Sequence, residues 1–233
     1  MRNVLVAAEA ARVERIVYTS SLTTVGKPAE RGGPADEEDL YLPGSVGSPY
    51  YEVKWAMEME ALRCAAQGLP VVVVMPSAVF GPGDVKPTTG EVLLWAAKGG
   101  LPGYVEGAIS VVDGRDVAEG EIAAAERGEV GRRYILSGHD LTFKELLSTA
   151  ARAAGREPPR LKWPSWLIRS VAGIGSFLGS PTAQHLAAIQ HWQPLDSSRA
   201  REELGLGDPI PFDRTCRDAQ TWFEERGMWK GAG

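Results

Sequence analysis

Apolar and polar positions along the chain change period several times, and each change marks an element. From Asn3 to Ala11 small apolar residues recur at helical spacing, and Ile16-Val17-Tyr18-Thr19 then forms a β-branched and aromatic run that reads as a strand. Lys27 to Pro49 is rich in Gly, Pro and acidic residues and reads as loop. Pro49 opens a helix over Tyr50–Gln67, at the one helical position where proline is favoured, and Gly68 ends it. Val71 to Met75 is continuously apolar and stops at Pro76, as a strand buried on both faces does. Strand, helix and strand in this order form a crossover between parallel neighbours, which predicts an α/β fold built on a doubly wound parallel sheet.

Beyond Pro76 the texture changes. Gly81-Pro82-Gly83 is a turn. Helices are expected over Glu91–Lys98, about Arg115–Glu126 and Thr142–Ala154, with strands at Ile109–Val112 and Arg133–Leu136. Further helices are expected over Pro164–Leu178, Pro181–Gln190, Ser197–Leu204 and Pro211–Glu225, so the C-terminal part is a smaller, mostly helical one. No internal repeat or low-complexity tract interrupts the pattern.

Composition narrows the classes. With 44% hydrophobic and 24% charged residues over 233 positions, the chain is an ordinary globular one. Its formal net charge of −5 and lack of a basic run exclude an electrostatic footprint for nucleic acid. Cys64 and Cys216 lie far apart and His139, His185 and His191 form no close pair, so no metal site is expected and the thiols are expected to be reduced, as in a cytoplasmic protein. Met1 to Ala11 is broken by Glu9 and reads as a helix rather than as the apolar core of a secretory leader. Trp163 to Leu178 is the most apolar late segment, but it carries Arg169 and is shorter than the ~20 residues of a bilayer span. A packed helix is the expectation there; a membrane-surface helix is the alternative.

The candidate chemistry sits at the start of the central helix. Tyr50 and Lys54 are four apart, so phenol and ammonium share one helix face and can converge on one substrate atom. A free tyrosine, with a pKa of about 10, is a poor base at neutral pH. A fixed ammonium nearby favours the phenolate and makes the pair a general acid/base for a carbinol oxygen. Thr19-Ser20-Ser21 ends the preceding strand, and ligands of open parallel sheets bind beyond the carboxyl ends of the strands. Ser21 can therefore donate a hydrogen bond to the same oxygen, and Pro76-Ser77-Ala78, ending the next strand, can wall a flat cofactor ring. Tyr51, three residues before Lys54, is read as packing. Trp163, Trp166, Phe177, His191 and Trp192 are read chiefly as core, with an apolar substrate wall as the alternative.

Taken together these stretches resemble an extended short-chain dehydrogenase/reductase of the NAD-dependent epimerase/dehydratase family, in particular its dihydroflavonol-4-reductase-like and hopanoid-associated sugar epimerase-like members. Val13 to Ser21 resembles the strand with the catalytic serine, Ser48 to Lys54 the Y-x-x-x-K helix start, and Met75 to Asp84 the P-x-x-V-x-G-P-G-D segment. Val111 to Ala118 resembles the V-D-V-R-D-V-A element, and Tyr134 to Gly138 with Leu141-Thr142 the strand and helix after it. The resemblance implies a catalytic triad of Ser21, Tyr50 and Lys54, NAD or NADP as cofactor, and cofactor contacts from Thr19, Ser20, Tyr50, Lys54, Pro76, Ala78 and Val79. Thr23 and Ser77 are weaker substrate-side candidates. It also implies domains at 1–84, the catalytic half of a Rossmann-type domain, and at 85–233, mainly substrate-binding, with strands in 108–118 and 132–138 partly returning to the core sheet.

One family feature is missing from the 233 residues: an opening strand followed by G-x-x-G-x-x-G, which grips the pyrophosphate. The expectation is an N-terminally incomplete chain with weak or no dinucleotide affinity. The function expected is oxidoreductase or epimerase chemistry on a hydroxyl or carbonyl of a small molecule, of sugar-nucleotide, polyphenol or isoprenoid type. The alternative is an inactive fragment acting as a binding or dimerisation module, with a homodimer forming through the helices near 2–12 and 50–67.

Overall fold

The computed structural model describes residues 1–28, 32–99, 103–164 and 191–229. The expected helices at 164–178 and 181–190 lie outside these residues, apart from Pro164, as do Trp166 and Phe177. The chain divides into two compact units: Met1–Ser77 with Arg115–Gly138 and Leu195–Asp208, and Ala78–Gly114 with His139–Pro194 and Pro209–Gly233. The sequence reading set a boundary after residue 84; the chain leaves the first unit at Ser77.

In the first unit, α1 (Arg2–Ala10), β1 (Ile16–Thr19), a 3-10 turn (Leu22–Thr24), α2 (Pro49–Ala66) and β2 (Val71–Pro76) follow one another. α4 (Gly114–Arg127), nearly all of which lies in this unit, leads into β6 (Arg133–Leu136), and α6 (Ser198–Leu204) completes it. The three strands form a parallel sheet in the order β1-β2-β6, with Ile16 opposite Val71 and Val73 opposite Arg133. The expected parallel α/β sheet is therefore present. Every residue of β2 is buried, as a central strand covered on both faces requires.

The two faces follow from the alternation of side chains along a strand. Val71, Val73, Met75 and Ile135 cluster with Leu5, Ala61, Cys64 and Ala65 from α1 and α2. Tyr134 and Leu136 face the other way, where the Tyr134 hydroxyl lies 2.9 Å from Glu203 Oε2 in α6. α4 lies close on that face: a Cβ at Gly120 would come within 2.7 Å of the Leu136 side chain, which would have to shift to admit it.

The second unit has a mixed sheet in the order β3-β5-β7, made of Ala78–Phe80, Ala108–Asp113 and His139–Thr142. Its helices are α3 (Glu91–Ala97), α5 (Phe143–Ala153) and α7 (Phe212–Glu225), and β4 (Gly103–Tyr104) pairs with β8 (Leu161–Lys162). Arg133–Leu136 joins the first sheet, whereas Ala108–Asp113 pairs with β3 in the second. The sequence reading saw the turn at Gly81 but not β3 or β7, because three or four residues are too few to display a period. Thr142, expected as a helix start, caps α5 reciprocally with Glu145. Buried Asp113 accepts a 2.7 Å hydrogen bond from Thr215 Oγ1, tying the end of β5 to α7.

Candidate active site

The site belongs to the first unit and is built from the carboxyl ends of β1 and β2 and the first turns of α2. After Thr19 the chain passes through Ser20 and caps its own turn: Ser21 has an extended backbone, and its Oγ accepts from the Thr23 amide at 3.3 Å. A serine at such a cap is ordinary local chemistry. Here it also leaves a half-buried hydroxyl beyond a strand end.

Pro49 at the first position of α2 directs the helix, and four-residue spacing then stacks its side chains. Tyr50 is 55% exposed, whereas Tyr51 is 5% exposed. Lys54 lies against the Tyr50 ring, its Nζ 5.9 Å from the centroid. Tyr51 packs between Tyr41, at 5.6 Å between ring centres, and Tyr50, at 6.5 Å. Its burial fits the packing role read for it. Tyr18 of β1 is pushed above its ordinary pKa by burial first and then by the Glu58 charge.

The loop before α2 is fastened to it. Glu52 accepts from the Tyr41 hydroxyl at 2.6 Å and from the Gly44 amide at 2.8 Å. These two donors hold its carboxyl below the usual carboxylate range. The Tyr41 phenol is raised in turn, by burial and then by the same contact.

Two buried hydroxyls at the strand ends, Thr23 Oγ1 and Ser77 Oγ, have no hydrogen-bond partner. A buried hydroxyl without a partner carries a desolvation cost, so such groups cluster where a ligand completes them. Both were weaker substrate-side candidates from sequence. Of the cofactor-side candidates, Thr19 is exposed and donates to Glu121 at 2.7 Å, and Ser20 is buried with its hydroxyl donated to Glu58. Pro76 ends β2, and the Ser77 amide donates to Leu136 O at 3.0 Å. Ala78 and Val79 open β3 in the second unit, opposite Val111 and Val112.

The sequence reading missed the charged group beneath these residues. Glu58 is 0% exposed and pairs with Arg133, itself 7% exposed, at 2.7 Å. Arg133 also donates to the carbonyls of Glu37 and Thr24, and the Glu37 carboxylate accepts from the Ile135 amide at 2.8 Å. A signal existed: Glu58 lies seven residues after buried Tyr51 and three before buried Ala61, on the buried stripe of α2. Among the described residues no cluster of His, Cys, Asp or Glu suits a metal. No helix among them is long and apolar enough to cross a membrane. The Trp192 ring lies tilted against that of Phe143, 6.0 Å between ring centres, and the Trp163 backbone amide donates to Tyr104 O.

Comparison with known proteins fixes the family. Residues 1–136 match the NAD dependent epimerase/dehydratase family, and the chain belongs to it. A Synechocystis sp. protein described as a dihydroflavonol 4-reductase is 32% identical over 98% of this chain and 70% of its own length. Sterol demethylase protein B of Methylococcus capsulatus is also 32% identical, over 95% of this chain and 70% of its own. Among solved structures, a nucleoside-diphosphate-sugar epimerase from Pseudomonas aeruginosa superposes with a TM-score of 0.84 at 33% identity, covering 97% of this chain and 72% of that one. More distant Rossmann-type neighbours, at 21% and 22% identity, hold NAD+ and NADPH. The chain is therefore an extended short-chain dehydrogenase/reductase by family and fold.

Proposed function

We propose that these residues form the catalytic part of an NAD(P)-dependent oxidoreductase or epimerase working through Ser21, Tyr50 and Lys54. The observation that carries the proposal is the exposed Tyr50 phenol with the Lys54 ammonium over its ring, at the start of the helix that links two neighbouring strands of a parallel sheet. Tyr50 transfers the proton at the substrate oxygen, Lys54 stabilises the phenolate, and Ser21 holds that oxygen by a hydrogen bond.

Ala78 and Val79, cofactor candidates from sequence, belong to the second unit. Within the first unit, Thr19 and Pro76 would flank a nicotinamide, Tyr50 and Lys54 would bond its ribose, and Ser20 would contribute only backbone because its hydroxyl is donated to Glu58. Bound there, the nicotinamide supplies or takes up the hydride. The unpartnered hydroxyls of Thr23 and Ser77 would serve the substrate. Within the 233 residues no glycine-rich turn follows an opening strand, so the pyrophosphate would be gripped by residues outside them.

The substrate we propose is a ring-borne secondary alcohol or ketone on an apolar skeleton, in line with relatives named for dihydroflavonols and sterols. The test is NAD(P)H-linked turnover of a dihydroflavonol and of a 3β-hydroxysteroid, set beside conversion of a UDP-sugar. Turnover of either ring compound that is lost in Tyr50→Phe bears the reading out. Turnover of the UDP-sugar alone moves the chain to the sugar branch, and activity that survives Tyr50→Phe sinks the site assignment.

A second reading rests on α1 and α2. Val4 and Val6 are 69% and 56% exposed, and Val53 is exposed on α2, so these helices offer an apolar surface to a second copy. Sedimentation of the purified chain tests it: a monomer at tens of micromolar removes the dimer.

A further inference from the structure

The buried charges beneath the site have no part in proton transfer, yet their hydrogen bonds reach every element that carries a candidate catalytic group. Glu58 lies on α2 one turn beyond Lys54 and two beyond Tyr50. Its Oε2 accepts from Ser20, the neighbour of Ser21, and lies 2.6 Å from the Thr24 hydroxyl. That same hydroxyl is 2.8 Å from the Ser21 carbonyl, so its proton lies within reach of both acceptors. On the other side Oε1 is held by Arg133 of β6, and Arg133 donates at 3.1 Å to the Thr24 carbonyl. One carboxylate thus joins the turn bearing Ser21 to the helix bearing Tyr50 and Lys54, and a guanidinium from the neighbouring strand braces both.

We propose that Glu58 is a positioning residue of the reaction centre: clamped by Arg133, it holds the Ser20–Thr24 turn against α2 so that the Ser21 hydroxyl and the Tyr50 phenol address the same substrate oxygen. The inference rests on the catalytic reading of Ser21 and Tyr50 given above. Three observations favour positioning over simple core filling. A buried ion pair is seldom a better filler than apolar residues of equal volume, so its presence calls for a further reason. One acceptor oxygen, Oε2, is directed at two hydroxyls of the turn rather than at the surrounding core, while Oε1 meets Arg133. Arg133 is bonded to the turn as well as to the helix, so the turn has two independent anchors. A hydroxyl that must meet an oxygen held by a second residue loses rate steeply with small displacements, and a rigid double anchor suits that task.

The test severs the anchor and leaves the ion pair intact. Ser20→Ala with Thr24→Val removes both hydroxyls that meet Glu58 and keeps Glu58 and Arg133 paired, so the fold is retained; Thr24→Ser restores one of them. Backbone hydrogen exchange is read at Thr24 and Val25, whose amides close the turn, and at Ile16 and Val73 in the sheet. In the double variant exchange at Thr24 and Val25 should rise about tenfold, as loss of two modest hydrogen bonds implies, with Ile16 and Val73 unchanged. Turnover of a dihydroflavonol at one fixed millimolar NADPH concentration should show the apparent kcat down at least about tenfold and the KM for the dihydroflavonol nearly constant, with Thr24→Ser close to the parent. Unchanged exchange at the turn overturns the proposal. So does exchange that rises equally in turn and sheet, or a looser turn with kcat intact. Should the parent not turn over the dihydroflavonol, the substrate reading falls separately, and the exchange pattern alone decides whether Glu58 holds the turn.

Discussion

Adjacent tyrosines with opposite environments carry the argument at residue level. Tyr50 is open to solution beside Lys54, and Tyr51 is packed against Tyr41, so spacing from the lysine and burial select the same phenol. A positioned acid/base contributes about 10²–10⁴ in rate. Tyr50→Phe should therefore lower turnover by at least about a hundredfold while leaving the thermal midpoint within a degree or two, since an exposed hydroxyl contributes little to the fold. A matched fall in midpoint and rate would instead mark Tyr50 as structural. Cys216 gives a prediction of a different kind. Burial pushes its thiol up to about 12 from an ordinary 9.0, so the folded chain keeps the proton that the unfolded chain releases. Stability from this group is complete below about pH 9 and is lost as pH rises towards 12. Urea unfolding of the parent should weaken over that window, and Cys216→Ala should flatten the decline. An unchanged slope in the variant assigns the alkaline loss to other groups.

Elements explain what the sequence disclosed and what it hid. The helix from Pro49, the strand from Ile16 and the apolar run from Val71 were legible because each carries its own signal: a proline at the first turn, β-branched residues, and an unbroken hydrophobic stretch. Tyr50, Lys54 and Ser21 were legible as candidates because spacing places them on those elements. The Glu58–Arg133 pair was not, since its members are 75 residues apart and meet only when α2 and β6 lie in one unit. Neither was the fastening of the 41–44 loop by Glu52, which needs the three-dimensional return of Tyr41. Both contacts give predictions. Glu58→Ala leaves a buried guanidinium and two hydroxyls without their acceptor, and it should cost about 3–5 kcal/mol in denaturant unfolding. A loss under 1 kcal/mol would mean that water or another acceptor reaches Arg133. Glu52 has a lowered folded pKa, so its hold on the loop is present above about 4.5 and fades as pH falls through the folded value. The Gly44 amide shift should titrate with a midpoint below 4.5 and lose that transition in Glu52→Gln.

The whole chain poses a question that no single element answers: how a family defined by a dinucleotide binds it with these 233 residues. Matched relatives are covered over 70% of their lengths, and the matched family segment runs from residue 1 to 136. What the first unit provides is a parallel sheet, its carboxyl edge, and on the adjoining helix the Tyr50–Lys54 pair to which we assign the acid/base role. It provides no glycine-rich turn leading from a strand into a helix N-terminus, the arrangement in which backbone amides and the helix dipole meet a pyrophosphate. Contacts to a nicotinamide and its ribose alone are few, and they must offset the cost of immobilising a large, flexible ligand. The expected outcome of an NADH or NADPH titration of the purified chain is a Kd above about 1 mM, equivalent to less than about 4 kcal/mol of binding free energy. Saturable binding in the micromolar range would mean that residues within these 233 build a phosphate grip of a different design. Backbone amides that shift on titration with inorganic pyrophosphate would then identify it. Weak binding on a folded sample would instead leave Ser21, Tyr50 and Lys54 as a reaction centre that depends on residues beyond these 233 for its cofactor. In that case supplying such a segment in trans should restore affinity without any change to the site itself.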